Sequence, residues 1–236
     1  MVAIYASPEG AGAVERRYRE LLGRWPVPYE HVRVPTGHGE TFVVACGPVG
    51  APPLLLLHGS GTNSAMWLAD VATWARRFRV HAVDLIGEPG LSAPSRPPLE
   101  PGVYAGWLAE VLAGLGVERV SIAAVSLGGW MALDYATCRP DRVERLALMC
   151  PSGIGRQRWL PLLGALPLLA SGGERGRLTM PLLVIAGGRD RMLDSYGTRR
   201  LPRAAPDADV RLLPGTGHLL PAHTQEIMDF LETAHA

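Results

Sequence analysis

Lysine is missing from this chain: all 23 of its strongly basic residues are arginine. A lysine Schiff base and the lysine of a Walker A phosphate loop are therefore excluded. Cysteine is scarce. Cys46, Cys138 and Cys150 stand far apart, with no CxxC pair or Cys/His cluster among them, so no metal site is expected. Three free thiols in a reducing cytosol fit that pattern. An excess of one charge is lacking too, since 23 basic residues face 22 acidic ones for a formal net charge of +1. That leaves no electrostatic footprint for nucleic acid or an anionic membrane surface.

No apolar run is long enough to span a bilayer, which takes about 20 residues. The most apolar stretch, Trp159 to Ala170, also carries Pro161 and Pro167. Glu9, Glu15, Arg16, Arg17, Arg19 and Glu20 fall where an export signal would need uninterrupted apolar residues. No stable membrane insertion and a cytoplasmic location are the expectations. Any partner must be chosen by a site, and the oligomeric state is left open.

What the chain does have is core-forming material, with 47% of its 236 residues hydrophobic. That predicts one substantial core and one domain over residues 1–236. Val14, Tyr18, Leu21 and Leu22 recur at helical spacing, so the N-terminus reads as an amphipathic helix ended by Gly23 and Pro26. HVRVP and TFVVACG flank the turn-forming TGHGE and predict an antiparallel hairpin.

From Pro53 onward short apolar runs (LLLL, VHAVDL, VSIAAV, VERLALM, LLVIA and DVRLL) alternate with longer segments. Helices are expected around Ala65 to Ala75, Tyr104 to Leu115, Leu127 to Thr137, Tyr196 to Ala204 and Pro221 to Ala234. Near-continuous apolarity marks strands covered on both faces, so the expected fold class is α/β, a mostly parallel central sheet flanked by helices. One connection breaks the rhythm: residues 151–180 read as a short lid or cap insertion.

Chemistry-bearing residues gather where strands end. VSIAAVSLGGWMALDYA puts Ser126 between a buried strand and a helix, with the small Ala124 and Gly128 two positions either side. A sharp strand-to-helix turn needs small neighbours, exposes the Ser126 hydroxyl and points the Leu127 backbone N–H at developing negative charge. Ser is also a favoured helix N-cap, the plainer reading of the same residue. In LLLLHGSGTNSAMW, Gly59 and Gly61 let the backbone approach the sheet edge, so the Ser60 N–H is the second expected oxyanion donor. Glycine-rich loops also bind phosphate, but this one has neither GxGxxG nor GK[ST]. His58 in that loop reads as a hydrogen-bonded structural histidine.

LLVIAGGRDRMLD leaves a buried strand through Gly187 and Gly188 and places Asp190 at the carboxyl edge of the sheet, with Asp194 as its substitute. VRLLPGTGHLLPAH brings His218 to the same edge. An unperturbed pKa of about 6.5 suits His to take and return a proton near neutrality. Of the other histidines, His223 enters the last helix and His81 lies within a strand.

Ser126, Asp190 and His218 thus occur in the chain order of an α/β-hydrolase triad, each after a strand, with the oxyanion loop upstream. With Leu54 to Trp67, Asp84 to Ser92, Ala124 to Gly128, Gly187 to Asp190 and Gly215 to Pro221, the chain resembles the α/β-hydrolase superfamily. It departs from the usual pattern at Ala124, where GxSxG has its first glycine, and in its short cap. The resemblance implies Ser126 as nucleophile, His218 as base, Asp190 as its orienting acid and a structural Asp84. It also implies an acyl-enzyme route to ester hydrolysis without metal or organic cofactor. The apolar segment RQRWLPLLGALPLLA favours uncharged, apolar small-molecule esters, with small or medium acyl groups, over charged substrates, although those leucines could equally cover the sheet. A C–C bond hydrolase, lactonase, amidase, iminopeptidase or perhydrolase would use the same machinery, and a non-catalytic ligand-binding protein could keep the fold.

Overall fold

A computed structural model describes residues 4–98, 100–152, 178–192, 205, 207–220 and 223–233. The first helix, α1 (Pro8–Leu22), starts where the Ser7 side chain accepts from the Gly10 N–H and Pro8 takes a position that needs no donor; Tyr18 and Leu22 are its buried residues. The hairpin follows as β1 (Tyr29–Val34) and β2 (Thr41–Cys46), paired antiparallel.

Then come β3 (Pro53–Leu57), a short α2 (Val71–Trp74), β4 (Arg79–Val83), α3 (Val103–Gly114), β5 (Val120–Val125) and α4 (Leu127–Cys138). The chain ends with β6 (Val143–Met149), β7 (Leu182–Gly187), β8 (Ala208–Leu213) and α5 (Thr224–Glu232). Among the described residues eight strands form one sheet in the order β1-β2-β4-β3-β5-β6-β7-β8. β2 meets β4 antiparallel, and every later pairing is parallel.

Side chains alternate across the central strands, and each face has its own core. Leu55, Leu57, Ile122, Ala124, Leu146, Leu148, Leu182 and Val184 pack with α3 and α4. Leu54, Leu56, Ala123, Val125, Ala147, Met149, Leu183 and Ile185 pack with α1, Trp67, Trp74 and α5. This is the double covering that the unbroken apolar runs predict. The strand order reverses between β3 and β5, so the connections leaving their carboxyl ends part and open a crevice there, the usual ligand position in such sheets.

One expected helix is shorter than its sequence pattern. Ala65 to Ala75 is a single 3₁₀ turn at Ser64–Trp67 followed by the four residues of α2. Bonds of i→i+3 type (Met66 to Asn63, Leu68 to Ala65, Asp70 to Trp67) replace a helical ladder. The start of the turn is held from outside, because the buried Asp84 carboxylate accepts from both the Ser64 N–H and the Ser64 hydroxyl. The expected helix at Tyr196 to Ala204, Asp194, and all but the ends of the expected lid at 151–180 lie outside the described residues. Among the described residues no helix is long and apolar enough to cross a membrane.

Candidate active site

Ser126 stands between β5 and α4 with φ 50° and ψ −111°, a backbone conformation that side-chain-bearing residues rarely adopt. Three bonds hold it there: its N–H donates to the Met149 carbonyl (3.0 Å), and its own carbonyl accepts from Trp130 (3.1 Å) and Ser152 (2.9 Å). Gly128 is required by packing, since a Cβ there would lie 2.4 Å from the Leu57 carbonyl oxygen. Ala124 is fully buried in regular strand and does not share the positive φ of Ser126. Close approach is what this position needs, so a methyl group is tolerated.

His218 and Asp190 reach the same point from the loops after β8 and β7. The His218 Nδ1 lies 2.7 Å from Asp190 Oδ2, and its Nε2 lies 3.1 Å from Ser126 Oγ. The Asp190 carboxylate is wholly buried, while the imidazole is 15% exposed. The second Asp190 oxygen accepts from the Met192 N–H at 2.8 Å. In a neutral imidazole whose Nδ1–H donates to the carboxylate, Nε2 is the nitrogen left to accept from the serine hydroxyl. All three residues expected from the sequence therefore meet.

The expected oxyanion donors also lie at this edge. The Leu127 N–H opens the twelve-residue α4, where the helix dipole is positive. Gly59 packs against Ser126, since a Cβ built on it would sit 3.6 Å from Ser126 Cβ. The Gly59 carbonyl accepts from the Thr62 hydroxyl (2.7 Å) and from His58 Nδ1 (2.9 Å). Because a peptide unit is planar and trans, anchoring that carbonyl turns the Ser60 N–H to the opposite side. Among the described residues neither the Ser60 nor the Leu127 N–H has a protein acceptor.

His58 is structural, as its sequence position implies. It is completely buried, and its Nε2 accepts from the Leu85 N–H at 2.9 Å, so Nδ1 carries the proton given to Gly59. Burial pushes its pKa down and favours this neutral form. Asp84 is structural as well, accepting from the Tyr18 hydroxyl (2.7 Å), Ser64 and the Leu91 N–H (2.8 Å). His223, at the start of α5, pairs with Glu226 at 2.7 Å.

Two residues at the site carry no sequence signal. Cys150, directly after β6, adopts φ 42° and brings its thiol within 4.8 Å of the Asp190 and His218 donor atoms. Burial, and next to it the neighbouring Asp190, push that thiol up to about 12. A soft divalent metal could use the three groups only by displacing the proton between Asp190 and His218. Glu88, on the loop after β4, bonds to the loop after β3 through Ser60 and Gly61.

Beside His218 a cavity of about 480 Å³ runs between the Trp67 to Trp74 segment and α5, lined by Met66, Trp67, Trp74, Met149, Leu220 and Ile227. Its polar wall includes Asp70, whose carboxyl is bonded by the Thr224 hydroxyl and pushed upward in pKa by burial.

A model of the alpha/beta hydrolase family matches residues 54–181, more than half of the chain. The chain belongs to the alpha/beta hydrolase family. Two curated relatives come from Bacillus subtilis (strain 168). Carboxylesterase YbfK is 36% identical over 148 residues, which is 63% of this chain and 50% of that protein. The uncharacterized carboxylesterase nap is 38% identical over 135 residues, 57% of this chain and 45% of that protein. The matched stretch thus spans about half the length of these hydrolases. In three dimensions the likeness is wider. The crystal structure of carboxylesterase CesB (YbfK) from Bacillus subtilis superposes with a TM-score of 0.79 at 26% identity, covering 95% of this chain and 99% of that one. That of naproxen esterase (carboxylesterase NP) from Bacillus subtilis gives 0.79 at 25% identity, over 97% of this chain and 100% of the other.

Proposed function

We propose that this alpha/beta hydrolase is a serine carboxylesterase, with Ser126 as nucleophile, His218 as general base and Asp190 as the acid that orients the imidazole. The observation that carries the reading is the continuous chain of hydrogen bonds from Asp190 through His218 to Ser126, at 2.7 and 3.1 Å. The names of the Bacillus relatives agree with it.

In this reading the Ser126 hydroxyl attacks the ester carbonyl carbon while His218 Nε2 takes its proton, and Asp190 stabilises the resulting imidazolium. The carbonyl oxygen becomes an oxyanion held by the Ser60 and Leu127 N–H groups, each worth about 10²–10³ in kcat. Collapse expels the alcohol, which receives the proton from His218 and leaves an acyl-serine. Water, deprotonated by the same imidazole, then releases the acid and restores the hydroxyl. The cycle uses no metal or organic cofactor.

The apolar cavity beside His218 supports a small uncharged, apolar ester as substrate. The test is turnover of p-nitrophenyl esters by the chain and its Ser126→Ala variant, with an organophosphate label located by mass spectrometry. Loss of turnover in the variant and phosphonylation at Ser126 are expected. Full activity in the variant would overturn the assignment.

A further inference from the structure

The peptide units on both sides of Ser60 are pinned, but by different means. The one before it is anchored through the Gly59 carbonyl, which the buried His58 and Thr62 hold. The one after it is anchored through the Gly61 N–H, which donates to Glu88 Oε2 at 2.5 Å. The same carboxylate oxygen accepts from the Ser60 hydroxyl at 3.3 Å.

Glu88 belongs to a different strand connection, the loop after β4, and its own position is fixed. Its N–H donates to the Leu85 carbonyl at 3.1 Å, and the preceding Gly87 has φ 74°. A Cβ on Gly87 would lie 2.6 Å from the Ser95 carbonyl oxygen, so the backbone that presents Glu88 is tightly fitted. A second tie joins the two loops, from Asn63 Nδ2 to the Pro89 carbonyl at 3.0 Å. Gly61, at φ 72°, has nothing among the described residues within 4 Å of where a Cβ would sit, so packing on that side does not fix its peptide. The carboxylate supplies that restraint, and a charged acceptor makes the stronger kind of hydrogen bond.

We infer that Glu88 is a positioning residue for the oxyanion hole: by clamping the Ser60 hydroxyl and the Gly61 N–H, its carboxylate holds the Ser60 N–H in line with the oxyanion. The inference rests on the carboxylesterase reading above and assigns Glu88 no contact with substrate. Its effect is exerted where charge develops, so it acts on the chemical step more than on substrate binding.

The test compares Glu88→Ala and Glu88→Gln with the unmodified chain, using p-nitrophenyl ester kinetics, inhibition by an alkylboronic acid that mimics the tetrahedral intermediate, and thermal unfolding. Glutamine keeps an oxygen that accepts from both donors; alanine removes it. In the alanine variant kcat is expected to fall about tenfold with KM within about twofold, and boronate affinity to fall in parallel with kcat. The glutamine variant should recover most of both, and neither should lose its unfolding transition. An alanine variant with unchanged kcat overturns the proposal. So does a loss of kcat without loss of boronate affinity, or one that tracks a lowered melting temperature and is not rescued by glutamine. If the unmodified chain turned over no ester at all, the carboxylesterase reading itself would fall; an active chain indifferent to Glu88→Ala sinks only the positioning role.

Discussion

Gly187 lies so close beneath Gly217 that a Cβ on it would meet the Gly217 carbonyl oxygen at 2.0 Å. The contact joins the end of β7 to the loop carrying His218, and two further bonds reinforce it: Gly188 N–H to Leu213 and Arg189 N–H to Thr216, at 2.7 and 2.8 Å. The 2.7 Å bond between Asp190 and His218 thus depends on two loops whose separation one hydrogen atom sets. Gly187→Ala should lower the unfolding free energy by about 1–3 kcal/mol through overpacking. It should also cut ester kcat/KM by at least about tenfold by moving the imidazole off its partners. Gly215→Ala, in the same loop but with nothing among the described residues within 4 Å of the added Cβ, should change neither. Denaturant unfolding and ester kinetics on both variants decide the point.

The residues flanking Ser126 should respond in opposite ways to changes of one methyl group. At Gly128 a Cβ would meet the Leu57 and His58 carbonyl oxygens at 2.4 and 2.6 Å, both belonging to the strand and loop that lead to Ser60. Gly128→Ala should therefore abolish most turnover. Ala124→Gly restores the more usual motif but adds chain entropy within a strand, so a stability loss of about 0.5–1 kcal/mol and activity within about twofold are expected. An Ala124→Gly variant that is clearly more active would mean that the methyl group strains the turn.

The contrast between these two positions indicates which parts of the molecule are legible in the sequence. Ser126 and Asp190 could be picked out because each follows a strand written as a nearly unbroken apolar run, and His218 because it follows the shorter apolar pattern of DVRLL; a parallel sheet delivers all such ends to one edge. Glu88 could not, because its role is a contact with Gly61 across two strand connections, and nothing in EPGLS marks a side chain that turns toward a neighbouring loop. Cys150 is hidden for a similar reason: its thiol meets Asp190 through the β6–β7 pairing, with the Cys150 N–H bonded to Ile185 at 2.8 Å. The Ala65 to Ala75 stretch has helical periodicity, yet Asp84, 20 residues on from Ser64 and beyond β4, holds the start as a 3₁₀ turn. Local pattern determines which residues are buried, whereas polar contacts between distant loops depend on the assembled sheet.

The cavity beside His218 gives the substrate preference a physical handle. Ile227 on α5 lines it and is nearly fully buried. Replacing it by Trp should narrow the cavity of roughly 480 Å³ at that wall without substituting Ser126, Asp190 or His218. Turnover of p-nitrophenyl acetate should stay within about threefold, while kcat/KM for medium-chain esters should fall at least about tenfold, the scale set by a few methylenes losing an apolar pocket. Equal losses on short and medium esters would place the substrate's apolar part elsewhere.

Acid should destabilise the fold through buried histidine. His81 in β4 is 5% exposed, its Nδ1 has no hydrogen-bond partner among the described residues, and burial, with Arg79 nearby, pushes its pKa down to about 4. Between about pH 6.5 and pH 4 the unfolded chain binds a proton that the folded chain refuses, so stability rises with pH and is lost as pH falls through this window. The loss is on the order of 1 kcal/mol per pH unit. His58, lowered by burial in the same sense, adds to it. His81→Leu should flatten the decline of melting temperature between pH 6.5 and 4, leaving the His58 contribution. An unchanged slope would show that His81 is protonated in the folded protein.

The three thiols should separate by reactivity, although their spacing in the sequence ranks none above another. Cys138 is exposed, whereas Cys46 and Cys150 are buried. Burial pushes the Cys46 thiol up, and burial with Asp190 nearby pushes Cys150 up to about 12. At pH 8 a thiol with that pKa is ionised in only about one molecule in ten thousand, and the thiolate is the nucleophile. Iodoacetamide on the folded protein should therefore alkylate Cys138 while sparing Cys46 and Cys150, with ester turnover preserved; after denaturation all three should react. Peptide mass spectrometry at matched time points reads the order directly. Early labelling of Cys150 with parallel loss of turnover would mean that its thiol is open to solvent beside Asp190, and that the carboxylate is less enclosed than the hydrogen-bond chain to Ser126 requires.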